Sequence, residues 1–157
     1  MKFRFALLPL LCPFLLFAQE NISGIVNDYA AVNDLDTCTL VLTVDDATGF
    51  QEDMSVLLIQ MQGAQLNTGN NADFGQILDI GSAGFYERNE ILAISGNEIT
   101  LRNALLHPYD VDGSVQLVTI PVYHDAFVND LLTALPWDGQ KGGILIFEVE
   151  NLLVLDD

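Results

Sequence analysis

The hydrophobic positions along this chain recur every second residue, and the elements they predict are strands. Over residues 37–44 (TCTLVLTV), Cys38, Leu40, Leu42 and Val44 share one parity while Thr37, Thr39 and Thr43 share the other. That alternation predicts a half-buried strand, ended by the turn sequence Asp45-Asp46-Ala47-Thr48-Gly49. Residues 55–61 (SVLLIQM) are apolar on both parities, which predicts a strand covered on both faces. Residues 90–95 and 98–102 flank Gly96-Asn97, a pair that accepts positive φ and predicts a hairpin. Asp110-Val111-Asp112-Gly113 predicts a further turn into a strand over 115–123, where Pro121 marks an edge or a change of direction. No window of eleven residues holds a 3.6-residue period. The nearest, 126–135 (AFVNDLLTAL), lacks a cap, ends at Pro136 and is read as extended.

Two stretches depart from this rhythm. Residues 62–83 are rich in Asn, Gly and Asp, and an irregular segment of that length inside a domain is either functional or partly structured. The last segment, ILIFEVENLLVLDD, carries two apolar runs, 144–149 and 152–155, split by Glu150-Asn151. They read as consecutive strands of a stacked sheet or solenoid. Terminal rungs normally present a polar outer face; these do not, so the expectation is a polypeptide that continues or is truncated here. The fold class expected is all-β: a small barrel or sandwich over 19–123, followed over 124–157 by the start of a β-solenoid or second sheet.

The N-terminus changes where such a fold would work. Lys2 and Arg4 precede an apolar run, 7–17, broken by Pro9 and Pro13, and Ala18 supplies a small residue before Gln19. This order is that of a secretory signal peptide over 1–18. The run is too short and too broken for a transmembrane span of roughly 20 residues. Cys12 lacks the preceding small residue of a lipoprotein site and belongs to the apolar region. Cleavage would remove two bases from a chain of net charge −17, leaving three bases against 22 acids, or −19. So negative a surface repels nucleic acid and anionic lipid, whose binding rests on Lys and Arg. Only Cys38 would remain, so no internal disulfide forms, and a lone Cys between threonines is expected as a buried small hydrophobe.

Several segments are then informative together: VLLIQMQGAQLNT (56–68), ADFGQILDIGSAGFYERNEI (72–91), SGNEITL (95–101), VQLVTIPVY (115–123) and PWDGQKGGILIFEV (136–149). In this order they resemble the N-terminal region of large secreted surface proteins of Bacteroidetes, of gliding-motility-associated or adhesin-like type. The resemblance implies a glycine-rich solenoidal continuation and, at the far C-terminus, a sorting domain for type IX secretion; neither is in this sequence. Where the family has Gly-Asp before its VLLIQM strand, this chain has Glu52-Asp53-Met54. The resemblance implies cell-surface or secreted localisation and carries no catalytic residue.

The side chains able to do chemistry are few. Nucleophilic catalysis needs a Ser or Cys beside a base, yet His107 precedes Pro108 at a turn, His124 follows Val122-Tyr123, and no G-x-S-x-G exists. Both histidines are read as surface or packing residues. Calcium needs only oxygen ligands; Asp110 and Asp112 on one side, and Asn67 and Asp73 on the other, are the candidates, although hairpin turns use the same residues for backbone reasons. The 22 acids single out no glycosidase pair. Tyr86, Tyr109 and Trp137 are the candidate ligand-contact aromatics. Asn21-Ile22-Ser23 fits a glycosylation sequon that matters only in a eukaryotic host. The function expected is a non-catalytic structural or adhesive module, with no cofactor beyond the calcium candidate. Its partners would be downstream domains of the same polypeptide and a surface glycan or protein. The alternative is an accessory region of a secreted polysaccharide-degrading enzyme whose active site lies downstream.

Overall fold

A computed structural model describes residues 20–156; the signal peptide read over 1–18 lies outside them. The chain is all-β. Six strands close a barrel in the order β2 (Tyr29–Asp36), β3 (Val41–Val44), β8 (Glu98–Leu101), β7 (Tyr86–Ser95), β4 (Ser55–Gln60) and β9 (Val115–Thr119), with β9 returning to β2. Every ladder in it is antiparallel. Closure removes the open edges that would otherwise invite pairing with other chains. Of the two expected architectures, barrel and sandwich, the barrel is the one formed.

Alternation along the strands fills the barrel. Val56 and Leu58 of β4, Leu42 and Val44 of β3, Ile99 and Leu101 of β8, and Val115 and Leu117 of β9 all point into one core with Ala30, Val32, Phe50 and Ile91. Strand β4 is apolar on its other parity as well, as the sequence predicts. Leu57 packs outside the barrel with Tyr29, Val118 and Ile120, under a cover of Leu135, Ile144 and Ile146. Burial of each such side chain stabilises by roughly 1.5–3 kcal/mol. One end of the barrel is closed by Gln60, buried in spite of its amide. Its Oε1 accepts from Asp110 N at 2.9 Å and its Nε2 donates to Gln62 O at 2.8 Å. A Cβ on Gly113 would be driven into this amide, so only glycine fits there.

A second sheet is parallel throughout, in the order β1 (Glu20–Asn21), β10 (Val122–Val128), β11 (Glu148–Leu155). Val122 lies opposite Glu148 and Val128 opposite Leu155, so the chain advances one strand every 26 to 27 residues. Strand β1 pairs with β10 through Glu20–Ala126 and Asn21–Phe127, and Gly24 bridges Leu132, although the whole barrel intervenes in sequence. The parallel sheet therefore begins before the barrel rather than after residue 123. The barrel occupies the excursion between its first strand and its second.

Several local expectations are corrected. The strand read over 37–44 is only Val41–Val44. Asp36 Oδ1 accepts from Cys38 N at 2.8 Å and Oδ2 accepts from Thr39 Oγ1 at 2.7 Å, which folds 37–40 into a turn with Leu40 at φ 60°. Cys38 is accordingly exposed, not buried. Tyr29–Asp36 forms a strand that the alternation does not predict. The run 115–123 is two strands in different sheets, with the chain changing direction at Ile120-Pro121. The two apolar runs at the C-terminus are one strand, β11, with 144–147 lying outside it. Residues 126–135, read as extended, are strand as far as Val128, where β10 ends, and irregular beyond it.

Candidate functional site

The long segment 62–83 is a projecting ribbon. Strand β5 (Gln65–Leu66) pairs with β6 (Ile77–Asp79), with Leu66 opposite Ile77 and Gln65 opposite Asp79. Its tip is built by side chains that fold their own backbone. Asn67 Oδ1 accepts from Gly69 N and Asn71 Oδ1 from Asp73 N, both at 2.9 Å, while Asn67 N donates to Gln76 O at 2.8 Å. Asp79 Oδ1 likewise accepts from Gly81 N at 2.9 Å. Backbone bonds anchor the base to the barrel, with Gly84 N donating to Gln60 O at 2.8 Å and Gln60 N to Phe85 O at 3.0 Å. Ser82 Oγ donates to Pro108 O at 2.7 Å.

The ribbon is apolar and uncovered. Leu66, Phe74, Ile77, Leu78 and Ile80 are each at least half exposed, Phe74 reaching 71%. All three residues of β6 are exposed, so neither face of the ribbon is packed. A two-stranded ribbon alone is marginal in water, and clustered exposed apolar side chains mark an interaction surface. No Lys or Arg falls between Arg4 and Arg88, so the ribbon carries only the charges of Asp73 and Asp79. The sequence marks this segment by its Asn, Gly and Asp content; its exposed apolar surface is made by Leu, Ile and Phe residues.

Of the calcium candidates, the side chains of Asn67 and Asp110 are taken up by backbone N–H groups, while the carboxylates of Asp73 and Asp112 are not. Asn67 and Asp73 belong to the ribbon's turn, and Asp110 Oδ1 accepts from Asp112 N at 3.1 Å at the start of the short 3-10 turn Val111–Gly113. Among the described residues no three His, Cys, Asp or Glu side chains come together in a group able to hold a metal ion.

The candidate aromatics separate by environment. Tyr86 is well exposed on β7 and Trp137 is partly exposed; neither has a ring partner among the described residues. Tyr109 instead packs against the end of the barrel core. His107 stacks on Phe85 with ring centres 4.7 Å apart and meets Tyr109 edge-on at 6.4 Å. Beneath them lies buried Glu87, whose carboxylate accepts from Leu106 N at 2.9 Å and from His107 N at 3.4 Å, pinning the 103–109 loop. The Tyr109 hydroxyl is buried with no partner at ordinary hydrogen-bond geometry. Burial, then the neighbouring Glu87 charge, push it above the usual phenol range. This cluster organises a loop. His124, the other histidine, faces Glu150 across the parallel sheet, Nδ1 to Oε2 3.3 Å.

A third feature is not legible in the sequence: a row of polar clips fastens residues 135–146 to the barrel wall. Gln116, fully buried, donates from Nε2 to Gly142 O at 3.0 Å and accepts from Gly142 N at 2.8 Å. Asn27 donates to Ile146 O at 2.6 Å and accepts from Ile146 N at 3.3 Å. The Tyr29 hydroxyl donates to Ile144 O and accepts from Leu135 N. In each clip a side chain reproduces the donor–acceptor pair of a missing strand. Arg88 of β7 adds a two-pronged ion pair to Glu148 of β11. Barrel and parallel sheet are thus joined by hydrogen bonds as well as by apolar packing.

Among the described residues no helix is long and apolar enough to cross a membrane. No protein-family model matches the chain, and no curated protein matches it. A search of solved structures finds a likeness to the Gp54 tailspike of Acinetobacter baumannii bacteriophage AP22, solved in complex with A. baumannii capsular saccharide. The sequences are 11% identical with a TM-score of 0.41; the likeness covers 82% of this chain and spans 23% of the tailspike.

Proposed function

We propose that the chain is a non-catalytic structural and adhesive module of an exported surface protein, and that it presents the ribbon 62–83 to a partner. The observation that carries this reading is the ribbon itself: five exposed large apolar side chains on an arm anchored by backbone bonds to a closed barrel. Such an arm keeps its shape where it leaves the barrel, and its apolar residues gain from being covered. The secretory pattern at the N-terminus and the acidic surface support a place outside the cytoplasm. The parallel sheet, advancing 26 to 27 residues per strand, supports a solenoid in which the barrel is carried as an insertion. In that arrangement the solenoid is the stalk and the barrel is the head.

The test is adhesion. Beads coated with the full chain lacking its leader are compared with beads coated with a variant in which residues 64–81 are replaced by a short Gly-Asn turn. Both are offered to whole bacterial cells and to immobilised polysaccharides. The expected result is binding by the first and its loss in the second, with the same thermal midpoint for both barrels. Equal binding by both would overturn the role of the ribbon. Turnover of any member of a panel of glycoside, ester and peptide substrates would overturn the non-catalytic assignment.

A further inference from the structure

The seam between β2 and β9 is short. The two strands pair only through Tyr29–Val118, Ala30–Leu117 and Ala31–Gln116. Beyond Ala31, β2 pairs with β3 alone, and β9 starts at Val115 opposite Gln60 of β4. The barrel wall therefore opens beside Val32 and Asn33. The opening is a concave pocket of about 230 Å³, lined by Ala31, Asn33, Val111, Asp112, Ser114 and Gln140 among others.

Three of the four polar side chains around this pocket are unused. The side chains of Asn33, Asp112 and Gln140 have no hydrogen-bond partner among the described residues. Their backbones are nevertheless held. Asp112 N donates to Asp110 Oδ1, and Ser114 adopts φ 54° to close the 3-10 turn, its N–H donating to Val111 O at 3.2 Å. Gln140 N and Lys141 N donate to Asp138 Oδ1 at 2.8 and 2.9 Å, and Lys141 Nζ then reaches Asp45 Oδ2 at 2.5 Å, tying this loop to the end of β3. The backbone bonds fix where these exposed side chains start, and the side chains themselves keep their valences free for a ligand.

Their chemistry selects a ligand class. Two carboxamides each offer a donor and an acceptor, the Ser114 hydroxyl, whose proton goes to Gly139 O at 3.4 Å, offers an acceptor, and one carboxylate adds two acceptor oxygens. No Lys or Arg lines the pocket, so it offers nothing to neutralise a phosphate, sulfate or uronate, and the chain's net charge of −17 repels them further. A single carboxylate falls short of the six to eight oxygens calcium requires. Neighbouring hydroxyls of a sugar ring are donors and acceptors together, which is what planar amides and carboxylates meet two at a time. The volume admits about one ring. We propose that the seam pocket, through Asn33, Asp112, Ser114 and Gln140, binds one neutral sugar residue. The site is separate from the ribbon 62–83 and does not depend on that ribbon's role.

A ligand of this size held by a handful of hydrogen bonds has a Kd on the order of 1–10 mM. The test is a two-dimensional amide NMR titration of the leaderless chain. The probes are the methyl pyranosides of gluco, galacto and manno configuration and the methyl glycoside of N-acetylglucosamine, each to about 50 mM. The expected result is saturable shifts with at least one of them at residues 31–33, 111–115 and 139–141 and none at 62–83. Asn33→Ala and Gln140→Ala, both on the surface, should each weaken binding about tenfold without changing the spectrum elsewhere. Replacing residues 64–81 should leave the titration unchanged even if adhesion is lost, which separates this site from the ribbon. Absence of saturation with all four probes, or saturation that both variants leave intact, would overturn the proposal. So would saturation of the same residues by calcium or glucuronate in place of the neutral sugars.

Discussion

Replacing Gln116 by Leu removes one clip and leaves everything around it in place. Gln116 is fully buried, and its amide satisfies both the N–H and the C=O of buried Gly142, at 2.8 and 3.0 Å. Leucine is close in volume and keeps the apolar contact, so the cavity term is small. It cannot donate or accept, and two backbone groups are left dry and unpaired, at about 1–3 kcal/mol each. Gly142 cannot turn away to find water, because its φ of 100° sits in a tight turn where even a Cβ would lie 2.6 Å from Pro136 O. The expected loss is therefore about 2–6 kcal/mol, and for a domain of this size roughly 6–24 °C in the melting midpoint. Two assays read it together. Thermal melting gives the global loss, and amide hydrogen exchange on Gly142 gives its origin. If only the 135–146 segment detaches, exchange at Gly142 rises sharply while the amides of β4 and β7 inside the barrel stay protected. An unchanged midpoint with Gly142 still protected would refute the reasoning, because it would mean that the clip contributes nothing that packing by Leu135, Ile144 and Ile146 does not already supply.

Acid should weaken the fold. The carboxyls of Asp36, Asp46 and Asp138 are held below the usual carboxylate range, Asp36 and Asp46 first by a threonine hydroxyl bond and Asp138 first by the Lys141 backbone N–H. A lowered folded-state pKa contributes stability above the unfolded value and loses it as pH falls through the lowered one, so the urea midpoint should be flat from pH 7 to 5 and decline below about pH 4; a midpoint that rises on acidification would contradict this. At the other edge of the parallel sheet, β11 has a partner among the described residues only on the β10 side and exposes Leu152, Leu153 and Leu155. Self-association at high concentration, reduced by the double change Leu153→Lys and Leu155→Lys, is the expected outcome in sedimentation; a wild-type monomer throughout would refute it.

The strands that the sequence shows well are those whose two faces are physically unlike. Strand β4 is legible because both of its parities are apolar and both are in fact covered, Val56 and Leu58 by the barrel core and Leu57 by the outer layer. The β7–β8 hairpin is legible because Gly96-Asn97 demands a two-residue loop, and Gly96 takes φ 62°. Strand β2 is hidden because Tyr29, Ala30, Ala31 and Val32 are all buried while Asn33 and Asp34 are exposed, so no alternation survives. The false strand over 37–40 arises where Asp36 competes for the backbone, a local bond that outweighs the pattern. The candidate site divides in the same way. The ribbon announces itself by its turn residues, but the clips do not. Asn27, Gln116 and Tyr29 act on backbone 119, 26 and 115 residues away respectively, and nothing in their neighbours marks them.

That long reach bears on how the two sheets coexist. A parallel ladder between β1 and β10 closes a loop of more than a hundred residues, and such closure adds only slowly to the entropic cost if the loop is itself folded. The barrel satisfies this condition, since its six strands close on themselves and bring Asn27 and Thr119 together, Asn27 Nδ2 donating to Thr119 O at 2.8 Å and Asp28 N to Thr119 Oγ1 at 2.8 Å. The two points where the chain enters and leaves the barrel are thus held side by side. Seen from the parallel sheet, the inserted domain spans no more distance than a short turn. The same Asn27 then extends to Ile146, on the following strand's approach, so one side chain joins the barrel's exit to the next course of the sheet. Changing Asn27 would loosen the entry, the exit and the next strand at once, whereas loss of the ribbon touches none of them. The fold therefore separates a tightly coupled frame, where barrel and sheet share their hydrogen bonds, from a projecting arm whose apolar side chains lie exposed.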